Sequence, residues 1–352
     1  MSLRQKYKVE SLLGQGLFGK VYLVTLRKGA KDGKRYALKV EHVFSEEDPY
    51  LQNELEFHRT VAKEYRKHFL QLKEFQYMEP CKERIPPLPL WIRPSSVYGE
   101  YLMKLRTSGV CIYKIYSFLD GTLEMFSTKD LCAWSLPMKY SFLAQMFHSL
   151  SIMHQHDWVH GDLHIGNIGF KKTKKSEEIE IDEKQIPSFG KRFVPIDYGM
   201  VLNRHLLSRH KPFQGTSYTE QEYFELHQVM DPWGLLKLFF DFKKWKKHRG
   251  ELSDQDKESK IKQMYKTVEF QSIQRMTNQM VNRNHPFYTV QRDLFLLLFP
   301  RVFQSLFSNT LDREKPIREI PIVHHLPLED VLFCAIHLHD LQSIVDYFVS
   351  KF

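Results

Sequence analysis

The chain has 352 residues, 42% of them hydrophobic and 26% charged, a composition that is typical of globular proteins and excludes general disorder. Its 51 Lys and Arg residues exceed the 42 Asp and Glu residues, and the net charge of +9 favours anionic partners such as nucleotides, acidic proteins or nucleic acid. This excess is modest for the length and does not indicate a DNA-binding protein. The longest apolar stretch, Leu294–Phe299, ends at Pro300, and Met1–Glu10 has no apolar segment behind it. We therefore expect neither a membrane span nor a secretory signal.

The first third of the chain predicts a β-rich region with one main helix. Residues 7–26 have the pattern of strand, glycine-rich turn and strand, and Tyr36–Val40 is a further strand after an Asp-Gly turn signal. Leu51–Phe69 has apolar residues at mostly helical spacing. The prolines within residues 80–94 indicate an irregular insertion, and Val110–Leu119 returns to strand character.

The rest of the chain predicts a mainly helical region. Pro137–Gln155 is the clearest helix, Phe193–Ile196 is a short strand, and the charged stretch Lys171–Lys184 predicts a solvated loop or exposed hairpin. Further helices are predicted at Phe224–Lys244, Asp254–Gln279, Val290–Phe307 and Leu328–Phe352. A small β-rich part followed by a larger helical part predicts an α+β fold.

Three glycines, Gly14, Gly16 and Gly19, lie between the first two predicted strands. Glycines let the backbone approach a triphosphate and turn N–H groups toward it. The same spacing occurs in Rossmann turns and in plain hairpins. A Rossmann site needs a helix after the glycines, yet Val21–Val24 is a strand former. The pattern therefore favours a strand-turn-strand phosphate flap, with a structural hairpin as the alternative.

Lys39 follows on the next predicted strand, in Ala37-Leu38-Lys39. A lysine that alternates with apolar residues usually lies on a solvated strand face. Its position after the glycine turn suggests instead a fixed cation for phosphates, which needs an anionic partner. On the following helix, Glu54 is the best candidate for that partner and Glu56 the second.

Two further motifs bring carboxylates and an amide into play. His160-Gly161-Asp162 begins a tight loop that reaches Asn167, and Asp197-Tyr198-Gly199 follows a predicted strand. Asp and Asn are frequent in turns, so each motif alone has a structural explanation. Together, and after the glycine turn and Lys39, they suit a hydroxyl acceptor, a magnesium ion and a phosphate donor.

These motifs in this order resemble those of eukaryotic-type protein kinases. Within that superfamily the chain is most similar to the vaccinia-related branch of the casein kinase group, because residues 49–54, the His-Gly-Asp and the Asp-Tyr-Gly are similar to that branch. The resemblance covers roughly residues 7–245. It implies a bilobal kinase-like fold, with a β-rich N-lobe at residues 1–119 and a helical C-lobe at residues 120–352. It also suggests a large DNA virus as the source.

The resemblance assigns roles to individual residues of this chain. The implied nucleotide-binding set is Leu13, Gly14, Gly16, Gly19, Val21, Ala37, Lys39, Glu54, Ser117 and Leu119. The implied catalytic set is Asp162, Lys39 and His164, and the implied magnesium ligands are Asn167 and Asp197. Lys39 would hold the α- and β-phosphates, Glu54 would position Lys39, and Asp162 would accept or orient the substrate hydroxyl proton. Whether Tyr116 or Ser117 guards the back of the nucleotide pocket stays open.

The chain departs from the kinase pattern at several positions. His164 replaces a lysine that usually meets the γ-phosphate, and Gly169 replaces an apolar floor for adenine, whose loss costs about 1.5–3 kcal/mol unless another side chain refills the space. Gly161 replaces an arginine that binds a phosphate on the activation loop, so we expect activity without loop phosphorylation. No Ala-Pro-Glu follows Asp197. Asp231 either braces the catalytic loop or caps a helix.

The sequence thus predicts an ATP- and magnesium-dependent Ser/Thr kinase that acts on proteins, with acidic or nuclear proteins among the substrate classes and no requirement for nucleic acid. A small-molecule phosphotransferase of the His-Gly-Asp type and a pseudokinase scaffold are the alternatives. The four cysteines form no Cys-x-x-Cys pair, which argues against a disulfide framework or zinc site and for a reducing compartment. The expected location is the cytoplasm or nucleus, in a host cell if the source is viral.

Overall fold

The computed structural model describes residues 3–27, 33–83, 92–216, 218–242, 322–338 and 340–352. Over these ranges the chain has the predicted mixed α+β character. The helices are α1 Leu3–Lys6, α2 Pro49–Arg59, α3 Val61–Glu64, α4 Val97–Thr107, α5 Thr128–Cys132, α6 Leu136–Gln155, α7 Glu220–Lys237, α8 Leu328–Ile336 and α9 Leu341–Val349. The predicted helices Asp254–Gln279 and Val290–Phe307 lie outside the described residues. Within the described ranges, no helix has the length and apolar character needed to cross a membrane.

The strands fall into one large sheet and several small ones. They are β1 Tyr7–Gln15, β2 Gly19–Leu26, β3 Arg35–Val43, β4 Leu72–Met78, β5 Val110–Ser117, β6 Gly121–Thr122, β7 Trp158–Val159, β8 Ile168–Lys172, β9 Glu178–Ile181, β10 Lys184–Pro187, β11 Lys191–Pro195, β12 Leu202–Asn203, β13 Phe240–Phe242 and β14 Ile322–His324. The large sheet is antiparallel and five-stranded, in the order β1-β2-β3-β5-β4. This order places β5 beside β3, although α2, α3, β4 and α4 separate them in the chain.

The glycine turn joins β1 to β2 as a hairpin, which confirms the predicted strand-turn-strand arrangement. Gln15 pairs with Lys20 at its end, and the Gly16 N–H donates to the Gly19 carbonyl at 2.9 Å. Gly19 lies so close to β3 that a Cβ there would be 1.8 Å from the Val40 carbonyl oxygen. Only glycine fits at this position, because any side chain would collide with backbone.

The helix predicted at Leu51–Phe69 is interrupted. It begins two residues earlier, where Asp48 caps α2 by accepting from the Tyr50 N–H at 3.0 Å and Pro49 occupies its first turn. α2 ends at Arg59, and the Thr60 hydroxyl donates back to the Glu56 carbonyl at 2.7 Å. That side-chain bond competes with the backbone ladder, so the chain turns before α3 begins.

A second long helix, α4, lies in the part for which the sequence predicted an irregular insertion and only one main helix. Ser96 caps it by accepting from the Gly99 N–H at 3.0 Å. Its residues Leu102 and Leu105 are buried. Six of the eleven residues of α4 are strong helix formers, but the prolines that precede it favoured an irregular segment.

The main core surrounds α6, which extends over the predicted range almost unchanged. Its residues from Lys139 to Met153 are all buried, so α6 is surrounded on every side. α9 packs along it, with the rings of Phe147 and Phe348 stacked at 6.1 Å. The predicted helix Leu328–Phe352 is divided into α8 and α9, because Asp340 caps the start of α9 by accepting from the Ser343 N–H.

The charged stretch predicted as a solvated loop or exposed hairpin contains the hairpin β9–β10, which is only partly exposed because Ile179, Ile181 and Ile186 on it are buried in the main core. The expectation against disulfide bonds is wrong for one pair. Cys81 and Cys111 are joined as a disulfide, with their Cα atoms 5.2 Å apart. The sequence could not show this pairing, since the two cysteines are 30 residues apart and meet only through the register of β4 against β5.

Candidate active site

A cavity of about 460 Å³ contains most of the polar residues that the sequence predicted to act together. Asp162, His164, Asn167 and Asp197 line it from the helical region, and Lys39 lines it from β3. Other predicted residues on its wall are Gly16, Gly19, Val21 and Glu54. Predicted residues that are not part of its lining are Leu13, Gly14, Ala37, Ser117 and Leu119. The cavity therefore corresponds to the phosphate end of the predicted site rather than to its adenine end.

Lys39 is paired differently from the prediction. Its Nζ lies 2.5 Å from Asp197 Oδ1 and also contacts the carboxylate of Glu41, two residues along the same strand face. Neither Glu54 nor Glu56 is its ion-pair partner, so the predicted Lys39–Glu54 pair is not formed. The nearer carboxylates satisfy the cation without a contribution from α2.

Glu54 pairs instead with Lys114 on β5. The Lys114 Nζ is 2.8 Å and 2.7 Å from the two Glu54 carboxylate oxygens, and it also contacts Glu41. Lys114 is directly opposite Lys39 in the β3–β5 register and is fully buried. Two neighbouring cations away from water need two anions, which Glu41 and Glu54 supply. The sequence analysis missed both Glu41 and Lys114.

The charge chain Asp197–Lys39–Glu41–Lys114–Glu54 sets the protonation states of the cavity. Desolvation raises the pKa of Asp197, but Lys39 outweighs it and holds that pKa at about 2. Desolvation lowers the pKa of Lys39, yet the carboxylates of Asp197 and Glu41 raise it overall. Asp197 is also held at φ 61, a conformation that is strained for a non-glycine residue. The carboxylate at 197 is thus ionised and fixed in place.

Tyr116 lies beside Glu54 at the end of this charge chain. Its hydroxyl donates to Glu54 Oε1 at 2.9 Å, and the side chain is buried. Ser117 comes next in the strand, and its N–H donates to the Gln71 carbonyl at 3.0 Å. Tyr116, rather than Ser117, thus contacts the charged cluster, and neither residue lines the cavity.

The loop that carries Asp162 is fixed by α7. Asp231 Oδ2 accepts from the N–H groups of His160 and Gly161, both at 3.0 Å, and Asp231 Oδ1 contacts His227 at 2.8 Å. Asp231 lies inside α7, whose N-cap is Thr219. Of the two roles considered for Asp231, the structure shows the brace and not the helix cap.

Asn167 closes the same loop onto Asp162. Its amide nitrogen donates to the Asp162 carbonyl at 2.8 Å and to Asp162 Oδ2 at 3.2 Å. The amide oxygen of Asn167 is left as an acceptor, as is the carboxylate of Asp197. Both are hard oxygen donors of the kind that Mg²⁺ takes in small number when phosphates and water complete its shell. These two residues therefore fit the predicted magnesium role.

Gly161 has a structural reason that the sequence did not reveal. It adopts φ 82, and a Cβ at this position would lie 2.3 Å from the Met200 carbonyl oxygen. A side chain here would be strained and would also collide with backbone. The arginine that protein kinases usually carry at the matching position is thus excluded here by the path of the backbone.

His164 faces Asp162 with one defined ring nitrogen. Its Nδ1 accepts from the Gly166 N–H at 3.0 Å, which leaves the proton of the neutral ring on Nε2. That nitrogen is 3.8 Å from Asp162 Oδ2. Desolvation raises the pKa of Asp162, although His164 and His160 oppose the shift. His164 Nε2 is therefore directed toward Asp162 as a hydrogen-bond donor.

Tyr198 links the loop to α2. Its buried ring lies 4.7 Å from that of Phe57, 5.0 Å from that of His58 and 5.5 Å from that of His160. The Tyr198 hydroxyl donates to the Pro195 carbonyl at 2.5 Å. The buried Tyr198 thus anchors the backbone directly after Asp197.

The gap expected at Gly169 is filled. A Cβ on Gly169 would lie 2.4 Å from Leu119 Cδ1, so the Leu119 side chain occupies the space that the missing side chain leaves. Phe170 does not refill it, because its ring packs against Phe126 at 5.6 Å within the main core. Leu119 thus fills the space beside Gly169, although it does not line the cavity.

Helix α4 forms an unpredicted wall on the side of Asp162. Tyr98 and Tyr101 stack at 6.5 Å and line the same cavity as Asp162. A Cβ at Gly215 would lie 2.5 Å from the Cβ of Tyr101, so α4 rests directly on the backbone that follows the Asp-Tyr-Gly segment. The cavity is therefore lined by aromatic side chains on this side.

The segment after Asp197 is held by neutral and acidic groups. The Tyr50 hydroxyl donates to the Pro212 carbonyl at 3.0 Å and to Glu220 Oε1 at 3.1 Å, and Glu220 Oε2 accepts from the Ser208 N–H at 2.6 Å. Gln214 Nε2 donates to the Gly199 carbonyl at 2.6 Å. These contacts tie the segment after Asp197 to the start of α2 and to the start of α7.

The chain matches no protein-family profile, and a search of curated proteins finds no match.

Proposed function

We propose that the chain is an ATP- and magnesium-dependent protein kinase that transfers the γ-phosphate to serine or threonine hydroxyls of proteins. The supporting observation is that Lys39, Asp162, Asn167 and Asp197 converge in one cavity beside the glycine turn. A fixed cation, a carboxylate near an acceptor and two hard oxygen donors are the groups that phosphoryl transfer requires. Under this proposal residues 1–119 and 120–352 form the two lobes of a kinase-like fold.

Each residue has a distinct task in the proposed reaction. Lys39 binds the α- and β-phosphates, and Asn167 and Asp197 hold magnesium, which neutralises the charge on the phosphates when it is bound. Asp162 accepts the proton of the attacking hydroxyl. His164 donates a hydrogen bond from its Nε2–H toward the transferred group, where protein kinases usually have a lysine. Lys39 must exchange part of its contact with Asp197 for the phosphates, while Glu41 keeps it in position.

The test is transfer of ³²P from ATP with magnesium to casein, histone and a basic protein. We expect transfer by the wild-type chain and a loss of at least about 100-fold in Asp162→Asn, because general-base catalysis is of that order. Asp346→Asn, an exposed carboxylate on α9, is the matched control and should keep full activity. Phosphoamino-acid analysis then separates serine and threonine from tyrosine. Wild-type enzyme that binds ATP but phosphorylates no protein would refute the proposal.

A second candidate is a small-molecule phosphotransferase. It is favoured by the wall that Tyr98 and Tyr101 form beside Asp162, since two stacked rings suit a small acceptor better than an extended polypeptide. The same ³²P assay with a panel of amino alcohols, aminoglycosides and nucleosides tests it. Transfer to one of these and not to protein would select this candidate, and absence of ATP binding would leave a scaffold.

A further inference from the structure

A second cavity, of about 550 Å³, forms a groove between α2 and β4. Its apolar residues are Leu55, Leu72 and Phe75. Its other residues include the cations Arg59, Lys63, Arg66 and Lys73, which are exposed at the rim. The groove thus combines an apolar floor with a basic edge, and no step of the proposed reaction uses it.

The rim cations are not neutralised by the described part of the chain. Arg59 approaches Glu56 only at 3.7 Å in an exposed pair, and the Arg66 Nε donates to the backbone carbonyl of Lys63. Lys63 and Lys73 make no ion pair with any described acidic residue. Desolvation, together with the charges of Lys34 and Arg66, lowers the pKa of Lys73. These exposed cations therefore form a basic rim that can attract an anionic ligand.

The acidic side chain in the groove does not compensate for them. Glu74 accepts from the Lys6 Nζ at 2.7 Å and 2.8 Å, and the Tyr7 hydroxyl donates to it as well. Its charge is thus directed to the other side of β4. Glu74 is thus already paired, which leaves Lys63 and Lys73 available to an anionic ligand.

We propose that this groove binds an acidic peptide segment of a partner protein, with one apolar side chain of that segment against Leu72 and Phe75. Charge complementarity with the rim selects the acidic residues, and the floor selects the apolar anchor. A free phosphate would leave the floor unused. A nucleic acid would need an open aromatic face for stacking, whereas Phe75 packs edge-on with Tyr77 at 5.9 Å.

The test is fluorescence anisotropy with the full chain and a labelled peptide in which glutamates flank a single phenylalanine. The variant Lys63→Glu/Lys73→Glu should weaken binding about tenfold, because two attractive contacts become repulsive. The matched control Lys171→Glu/Lys172→Glu reverses two exposed lysines on β8 and should leave affinity unchanged. Replacing the phenylalanine of the peptide by glycine should also weaken binding. Thermal unfolding of each variant shows that the fold is retained.

Three results would overturn the proposal. The first is no binding of the peptide by the wild-type chain at low salt. The second is equal loss in the groove variant and the control, which would reduce the effect to net charge. The third is a single-stranded RNA oligonucleotide that displaces the peptide from the groove and binds more tightly. Because the readout is binding alone, failure here leaves the proposed phosphoryl transfer untouched, and failure of phosphoryl transfer leaves the groove untouched.

Discussion

Lys114 is the residue whose surroundings differ most from what a strand position suggests. It lies in β5 among apolar neighbours, is fully buried, and depends on Glu54 and Glu41 for its charge. An ion pair of this kind contributes little net stability, but breaking it leaves a charge without a partner. The free energy of unfolding should therefore fall when either Lys114 or Glu54 is replaced alone, and much less when both are replaced together.

We expect Glu54→Gln to destabilise the protein by about 3–5 kcal/mol, because it leaves Lys114 with a shared carboxylate in a dry site. The double variant Glu54→Gln/Lys114→Met should recover most of that loss, since it removes the unpaired cation while Glu41 stays paired with Lys39. Urea unfolding of the single and double variants completes a double-mutant cycle. Additive losses of stability, with no recovery in the double variant, would show that the loss in Glu54→Gln does not come from leaving the Lys114 charge unpaired.

The residues that the sequence could identify are those whose roles are set locally. Asp162 and Asn167 share one short loop, and Asp197 follows a strand, so the order of these motifs after the glycine turn and Lys39 predicted a shared site. Glu41 and Lys114 escaped the analysis because their contact depends on which strands are neighbours, and β5 pairs with β3 only after a long excursion of the chain. A lysine inside the apolar run Val110–Ser117 was the one available sign, since a buried cation requires an anion.

At the scale of elements, three segments act together: α2, the segment after Asp197, and the loop at Gly161. Tyr50 at the start of α2 joins Glu220 and Pro212, and Gly161 passes against the Met200 carbonyl. No position in this set calls for a phosphate. The proposed kinase should therefore be active as synthesised.

We expect chain that has been produced together with a phosphatase to retain full activity, because the segment is ordered by Tyr50, Gln214 and Glu220 rather than by a phosphorylated side chain. The measurement is the initial rate of protein phosphorylation, with mass spectrometry to establish that no phosphate remains. Complete loss of activity after dephosphorylation, restored by pre-incubation with ATP, would contradict it.

We expect Tyr50→Phe to loosen the segment after Asp197, because the hydrogen bonds to Pro212 and Glu220 disappear while the ring packing on Phe213 stays. Each such bond contributes about 1 kcal/mol. Limited proteolysis within residues 200–216 should become several-fold faster, and kcat should fall with little change in ATP affinity. Tyr347→Phe, on α9, is the matched control, and identical proteolysis of wild type and Tyr50→Phe would exclude the role.

Element boundaries show where propensity ceases to be a guide. α6 was predicted almost to the residue, because its apolar residues recur at helical spacing over its whole length. α2 ends at a threonine whose hydroxyl returns to its own helix, and α4 forms after a run of prolines. Both features depend on a single side-chain contact or on packing against Gly215, which periodicity does not encode.

The whole molecule carries several histidines that folding forces to stay neutral. Burial lowers the pKa of His58 to about 3, that of His68 to about 3 and that of His154 to about 4. Unfolded histidine binds a proton below about pH 6.5, whereas these folded residues do not. The unfolded state therefore takes up more protons as the pH falls, and stability is lost from about pH 6.5 downward.

We expect the urea midpoint to be level above pH 7 and to fall steadily between pH 6.5 and pH 4. His58 alone should contribute up to about 1.4 kcal/mol per pH unit in this range. His58→Leu should lessen the slope, and should also raise stability at pH 7.5, because both buried ring nitrogens of His58 lack a hydrogen-bond partner. His210→Leu, in an exposed position, is the control. An unchanged slope in His58→Leu would contradict this assignment.

The pairing of Lys114 with Glu54 also has a consequence for how such chains can diverge. As long as position 114 is a lysine, Glu54 is committed to it, and Lys39 must find its carboxylate on its own strand at Glu41. A descendant that exchanges Lys114 for an apolar residue releases Glu54 toward Lys39 and frees position 41 to vary. Substitutions at positions 41, 54 and 114 should therefore occur together during evolution, and an alignment of relatives should show these positions covarying.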